Sequence, residues 1–146
     1  MATHPADAVL ADKLRASRHR VTSQRLVIYR ELHARKQHVT ADQLLEAVTP
    51  ALPGIAIPTV YATLVLLEEL GLVRRVSTGT GAVVFDSHVD PHAHTVCRSC
   101  GALADLAGPG PPPDALQSAA AAGFSPEHAQ LLIWGVCADC RPAAGN

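Results

Sequence analysis

Residues 86–105 read DSHVDPHAHTVCRSCGALAD, and the rest of the chain is best understood outward from them. The stretch holds His88, His92 and His94, the aspartates Asp86, Asp90 and Asp105, and a Cys-x-x-Cys pair, Cys97 and Cys100. A second such pair, Cys137 and Cys140, follows after 36 intervening residues. Two cysteines separated by two residues can present both sulfurs to one ion from a tight turn. Two pairs together complete a closed, tetrahedral four-thiolate zinc site with no open position for chemistry. In a reducing compartment this usage favours metal over disulfide. The alternative is a thiol-redox switch, in which the pairs lose zinc and close as disulfides.

His92-x-His94 is a second signal. Alternate residues of an extended segment point the same way, so both imidazoles can face one ion. Asp86 and Asp105 can add oxygens, and His38 a further nitrogen from earlier in the chain. An all-nitrogen-and-oxygen donor set leans to Fe(II), Mn(II), Ni(II) or Zn(II), and carboxylates favour the harder ions. His33, His88 and Asp90 are weaker candidates, and His128 is a doubtful extra. The bland reading of all these histidines is a polar loop on the surface.

Upstream, the pattern is helical. Residues 6–17 can form an amphipathic helix with Val9, Leu10 and Leu14 along one side. Thr22 is a plausible N-cap for a helix to about residue 35 that packs Leu26, Ile28 and Leu32. Thr40-x-x-Gln43 is a capping-box signature, opening a helix that stops before Pro50. Pro58 opens another, PTVYATLVLLEELG, with Val60, Leu64 and Leu67 on one face and its end at Gly71. LVRRV and AVVFD, joined by STGTG, read as a hairpin. A helix set closed by a two-stranded wing is a winged helix-turn-helix, which offers the Pro58–Leu70 helix to the DNA major groove. Thr59 and Tyr61 lie early in that helix, where side chains reach base edges, although Tyr61 could equally pack inside. Arg20, on the basic connector before the second helix, can enter a narrow minor groove. Downstream, His94–Leu106 passes as a strand interrupted by the Cys-x-x-Cys turn. Asp114-x-x-Gln117 can cap a short helix ending at Gly123, and QLLIWGV (130–136) is a further strand.

Composition agrees with a two-part chain. The 146 residues carry a net charge of only −1, but residues 1–36 hold eight bases against three acids, whereas 87–146 hold two against five. A basic end joined to an acidic one suggests a nucleic-acid face on the first. Hydrophobic residues make up 48% and aromatic ones 3%, so any core is built from small side chains, and a part of some sixty residues needs a metal or a partner subunit to stand. No run of eighteen apolar residues and no signal peptide is visible, which predicts a cytoplasmic protein that does not span a membrane.

The motifs VTSQRLVIYREL, HVTADQLL, PTVYATLVLLEELGLV, FDSHVDPHAHTVCRSCG and GVCADC together resemble the ferric uptake regulator (Fur) superfamily over nearly the whole chain. The resemblance implies an α+β protein: a winged-helix DNA-binding domain over 1–86 (wing about 72–86) and an α/β dimerisation domain over 87–146 with the four-cysteine zinc site. It implies a homodimeric repressor whose regulatory metal sets the spacing of two DNA-reading heads on a palindromic operator in double-stranded DNA. Residues 77–88 contain no cysteine, unlike zinc-sensing members, and nickel sensors use the position of His88 differently. Iron-sensing members commonly carry Glu where this chain has Asp86 and near Asp105. The set His38, Asp86, His92, His94 and Asp105 is similar to the five-ligand site of the peroxide-responsive branch (PerR-type and actinobacterial FurA- or CatR-like proteins). That branch uses Fe(II) or Mn(II) beside structural Zn(II), and peroxide oxidises a ligand histidine, here His38 or His92. The expected target is catalase-type oxidative-stress genes. Pro91 and Ala93 stand where some members build a third metal site, so two metals per subunit are expected. Ala62 and Ala56 depart from residues common at the recognition helix. The rival readings are an Fe(II)-dependent iron-uptake regulator, a nickel or zinc sensor, and, from another class, a non-haem metalloenzyme. No added base or substrate-pocket residues accompany the His/Asp set, so an enzyme is not expected, nor any small-molecule ligand beyond metal ions and peroxide.

Overall fold

A computed structural model of the chain describes residues 4–35, 38–79 and 81–142; Thr80, in the predicted hairpin turn, lies outside them. The chain forms two compact units, one of Met1–Ser77 and Ala82–Val89, the other of Thr78–Gly81 and Asp90–Asn146.

The first unit contains α1 (Pro5–Ala16), α2 (Ser23–Arg35), α3 (Ala41–Val48), α4 (Ile57–Glu69) and the antiparallel pair β1 (Arg74–Ser77) and β2 (Val83–Asp86). In α1, Pro5 occupies the first turn, where its missing N–H costs nothing, and the His4 ring accepts from the Ala6 N–H at 3.2 Å. The buried residues of α1 are Ala6, Asp7, Leu10, Ala11 and Leu14. Val9, expected on that face, is exposed. The i, i+4 row Ala6–Leu10–Leu14 takes the core side, and one residue's rotation about the axis carries Val9 out of it. The Thr40–Gln43 capping box forms as predicted, with both reciprocal hydrogen bonds present.

In α4 the N-cap is Ala56, which makes no side-chain capping bond. A lost cap costs about 1 kcal/mol. Val60, Leu64 and Leu67 are fully buried, and each is worth about 1.5–3 kcal/mol relative to exposure. Packing therefore outweighs the missing cap. These three join Leu10, Leu14, Ile28, Leu32, Leu44 and Phe85 in one hydrophobic core.

Between α1 and α2 runs a half-buried charge pair. Asp7, 5% exposed, receives both Nε and Nη2 of Arg30. A planar guanidinium fork on a carboxylate adds geometric specificity to charge and ties α1 to α2.

The second unit contains β3 (Ala93–Cys97), β4 (Leu103–Leu106), α5 (Ala115–Ala121) and β5 (Leu131–Gly135). Its sheet order is β4-β3-β5, with β3 antiparallel to β4 and parallel to β5. Asp114 does not cap α5 by its side chain: its own backbone is already helical (φ −84°, ψ −7°), whereas a capping residue needs an extended one. None of the α5 side chains is buried, and Leu106, Leu116, Phe124, Ile133, Trp134 and Val136 of this unit are exposed.

The Arg30 fork holds the Asp7 carboxyl below the ordinary carboxylate range. A group with a depressed folded-state pKa stabilises the fold above its unfolded pKa, near 4, and loses that contribution as pH falls through the folded value. Asp7→Asn is expected to lower the melting temperature at pH 7, and the gap from the native chain should narrow steadily below about pH 4. A gap that stays constant in thermal melts from pH 7 to pH 3 would contradict this ion pair.

Candidate metal centre

Four sulfurs meet in the second unit. Cys97 ends β3, Cys100 lies in the turn after it, and Cys137 and Cys140 follow β5. The parallel register sets Cys97 beside Gly135, so the second knuckle is delivered next to the first. One sulfur atom from each cysteine lies within 4.8 Å of all the others. The backbone N–H groups of Cys100 and Cys137 draw the Cys97 thiol down to about 6, the latter at 3.3 Å from its sulfur. The neighbouring sulfurs of Cys137 and Cys100 push Cys140 up to about 12. Four thiolates this close repel one another unless a cation sits among them, and a soft, tetrahedral donor set with no oxygen or water position fits structural Zn(II).

The nitrogen and oxygen donors are arranged differently: each unit builds a cross-strand histidine–aspartate pair. In the first unit, Val39 and Phe85 exchange both backbone hydrogen bonds, at 3.1 and 2.8 Å. This two-bond antiparallel bridge makes His38 and Asp86 opposite neighbours, with His38 Nε2 3.4 Å from Asp86 Oδ2. The other oxygen, Oδ1, accepts the His88 N–H at 2.8 Å, which fixes the orientation of the carboxylate.

In the second unit His94 on β3 stands opposite Asp105 on β4. His94 Nε2 and His92 Nε2 both face Asp105 Oδ1, at 3.4 and 3.2 Å, and the two rings lie 4.3 Å apart. His92 Nδ1 is 2.7 Å from the Asp90 carbonyl oxygen. A neutral ring that donates there carries its lone pair on Nε2, which is the arrangement a metal ligand requires. A lone pair and a carboxylate oxygen at such distances repel unless a proton or a cation lies between them. The donor set, imidazoles with carboxylates, fits Fe(II) or Mn(II).

The other predicted residues are placed as follows. Thr59 and Tyr61 lie in the first turns of α4. Tyr61 is 44% exposed, yet its ring meets Phe85 edge-on at 6.5 Å, so it both packs and presents. Thr59 is half-buried, and its carbonyl accepts from the Thr63 hydroxyl at 3.0 Å. Arg20 is exposed on the connector, where its carbonyl accepts from the Arg25 guanidinium. His33, His88 and His128 are exposed and join no cluster of three or more ligand side chains among the described residues.

Four contributing residues escaped the sequence reading. Phe85 and Val39 carry the backbone bridge, and nothing in their residue types announces it. Arg75 lies over the Phe85 ring at 5.6 Å and pairs with Glu68 at 3.0 Å, tying the hairpin to α4. Gly110, in the loop between β4 and α5, runs so close to the His92 backbone that a Cβ there would stand 2.9 Å from the His92 nitrogen.

The ferric uptake regulator family model matches residues 16–134. The chain belongs to that family. Members are transcription regulators rather than enzymes, they bind DNA as dimers, and metal ions are their ligands. Among curated relatives of this Fur-family chain, the peroxide operon regulator of Bacillus subtilis is 33% identical over 140 residues, 96% of each chain. The peroxide-responsive repressor of Staphylococcus epidermidis is 32% identical over 130 residues, covering 88% of this chain and 85% of that one. The ferric uptake regulator of Pseudomonas aeruginosa, solved with manganese, superposes with a TM-score of 0.66 at 25% identity, over 88% of this chain and 97% of that one. The predicted α+β class, with its four-cysteine cluster, is the observed one. No helix among the described residues is long and apolar enough to cross a membrane.

Because Gly110 supports the backbone of His92, Gly110→Ala is expected to weaken Mn(II) binding by about tenfold, the usual effect of disturbing a support behind a ligand. Zinc content should stay unchanged. Native Mn(II) affinity in an equilibrium titration of this variant would show that the close approach has no bearing on His92.

Proposed function

We propose that this chain is a homodimeric, metal-dependent repressor that senses peroxide through Fe(II) at a site of His38, Asp86, His92, His94 and Asp105. Mn(II) fills the same site without responding. Cys97, Cys100, Cys137 and Cys140 hold a structural Zn(II) that stabilises the second domain, as metal binding does where a small core falls short. Residues 1–86 form the DNA-binding domain, with α4 in the major groove of a palindromic operator, Thr59 and Tyr61 toward the bases and Arg20 toward the minor groove. Residues 87–146 dimerise, and the exposed apolar side chains Leu106, Phe124, Ile133 and Trp134 are the surface that a second copy covers. The protein acts in the cytoplasm on catalase-type defence genes.

The observation that carries this reading is the pair of cross-strand histidine–aspartate couples, His38 with Asp86 and His94 with Asp105. Each unit supplies half of a hard, mixed nitrogen–oxygen donor set. An ion shared by the halves restrains the heads, and DNA affinity rises with the population of the restrained state. Iron, when bound, would supply the redox chemistry by which peroxide oxidises a neighbouring imidazole by two electrons, one peroxide oxygen entering the ring and the other leaving as water. His92 is held for this by the Asp90 carbonyl behind it, and His38 by the Val39–Phe85 bridge. An imidazole that gains oxygen is a poorer donor, so the restraint and the DNA complex are lost together. The similarity to peroxide-responsive relatives supports this branch over an iron-uptake regulator.

Mass spectrometry of the zinc-loaded protein after mild peroxide tests it. With Fe(II), a gain of one oxygen on His38 or His92 and loss of operator binding are expected while zinc is retained. With Mn(II), neither is expected. Disulfide formation with zinc release would instead mark a thiol switch, and an unmodified, DNA-bound iron form would mark an iron-uptake regulator.

A further inference from the structure

Among the described residues, three helices end in the same hydrogen-bonded motif, but only two of them close it with the residue that suits it. After α4, the Gly71 N–H donates to the Glu68 carbonyl and the Leu72 N–H to the Leu67 carbonyl, both at 2.9 Å. After α5, the Gly123 N–H donates to Ala120 at 3.0 Å and the Phe124 N–H to Ala119 at 3.1 Å. In both cases the closing glycine sits in the left-handed region, φ +70° and +84°, where a residue without a Cβ pays no steric penalty. After α1 the pattern is the same: the Arg18 N–H donates to Arg15 at 3.1 Å, and the His19 N–H to Leu14 at 2.7 Å. The closing residue there is Arg18, with φ +59°. Among the described residues it is the one non-glycine with a positive φ.

An arginine in this conformation brings its Cβ against the following carbonyl, and it lacks the short polar side chain by which Asn or Asp offsets that strain. Attraction to the C-terminal end of the α1 dipole does not account for it. Lys13 and Arg15 already occupy the last turn, and a cation needs no left-handed backbone to serve there. Nor is Arg18 needed for packing, because its side chain is exposed. What remains is the guanidinium itself, on a connector that also carries the exposed Arg20 and that follows the exposed Arg15 at the end of α1. Backbone strain kept at one residue, where glycine would relieve it, marks a side chain retained for function.

We propose that Arg18 is a phosphate-contacting residue of the DNA interface, held in a strained helix-closing position at the expense of stability. The proposal rests on the DNA-binding reading above and adds a residue to it. Arg18 lies two positions before Arg20, so it reaches the backbone beside the groove that Arg20 enters. Its contact is with phosphate, which means it strengthens binding to any duplex and carries no sequence preference.

The test compares Arg18→Gly and Arg18→Lys with the native chain, all as full-length zinc- and Mn(II)-loaded protein. The probe is a mixed-sequence duplex of about 30 base pairs, titrated over a range of salt concentrations. Arg18→Gly is expected to raise the melting temperature by about 2–5 °C. It should also weaken binding about fivefold per protomer at 0.15 M salt and lower the slope of log K against log salt by about one unit per protomer. Arg18→Lys, which keeps both charge and strain, should match the native slope and melting temperature. Greater stability with weaker binding is a combination that a purely structural role does not produce. An Arg18→Gly protein with native affinity and slope would overturn the phosphate contact, and a lower melting temperature would overturn the strain. Failure of the native chain itself to bind any duplex in a salt-dependent way would instead sink the repressor reading, and this proposal with it.

Discussion

Backbone ladder hydrogen bonds hold the clustered histidine and aspartate side chains of this protein in place. Val39 and Phe85 exchange two such bonds in the first unit, and β3 and β4 are paired through His94 and Asp105 in the second. Side chains of directly opposed residues on an antiparallel pair start about 4.5–5.5 Å apart at Cβ, which is the separation from which an imidazole and a carboxylate can reach one small ion. His38 and His94 therefore each meet their aspartate because the main chain has already been paired. Supports behind these side chains continue this logic: the Asp90 carbonyl orients His92, the His88 N–H orients Asp86, and the Gly110 backbone lies against His92. A donor set built this way costs little to assemble when the ion arrives, so most of the binding free energy is left to act on the protein's conformation.

That surplus is what regulation requires. Moving a two-state equilibrium from 1:99 to 99:1 takes differential binding of about 5.5 kcal/mol, more than one exposed ion pair supplies and within reach of several converging ligands. On the proposed function, loss of a single imidazole would remove enough of it to reverse the balance. The four-thiolate cluster plays the opposite part. As the proposed zinc site it would stabilise a sheet that leaves Ile133, Trp134 and Val136 exposed and a helix, α5, with no buried side chain.

Local patterns in the sequence predicted local structure well. The Thr40–Gln43 capping box, the α4 face of Val60, Leu64 and Leu67, the two-stranded hairpin and the grouping of the four cysteines could all be read from spacing alone. Readings failed where one residue's rotation or backbone conformation decided the outcome. Val9 faces solvent because the core row of α1 begins at Ala6, and Asp114 cannot cap α5 because its own backbone is helical. Long-range pairing was not legible at all. Nothing in QLLIWGV shows that β5 lies parallel to β3, and nothing in Val39 or Phe85 shows that they meet. The donors were recognisable as residue types, but their pairing as His38–Asp86 and His94–Asp105 depends on register. Arg18 was counted as charge, and its left-handed backbone became visible only in the folded chain.

Whether the two half-sites hold one ion or two is decided most directly by a double-mutant cycle on Mn(II) affinity, using His38→Ala, His92→Ala and the combined variant of the zinc-loaded protein. If the ion is shared, each single variant loses at least about 100-fold, since ligand loss exceeds the cost of disturbing a support. The double variant then loses far less than the product of the two, because residues that act on one ion are strongly coupled. One Mn(II) per subunit should bind the unsubstituted chain. Losses that simply multiply, two Mn(II) ions per subunit, or native affinity in His38→Ala would show the halves to be independent and would contradict the account.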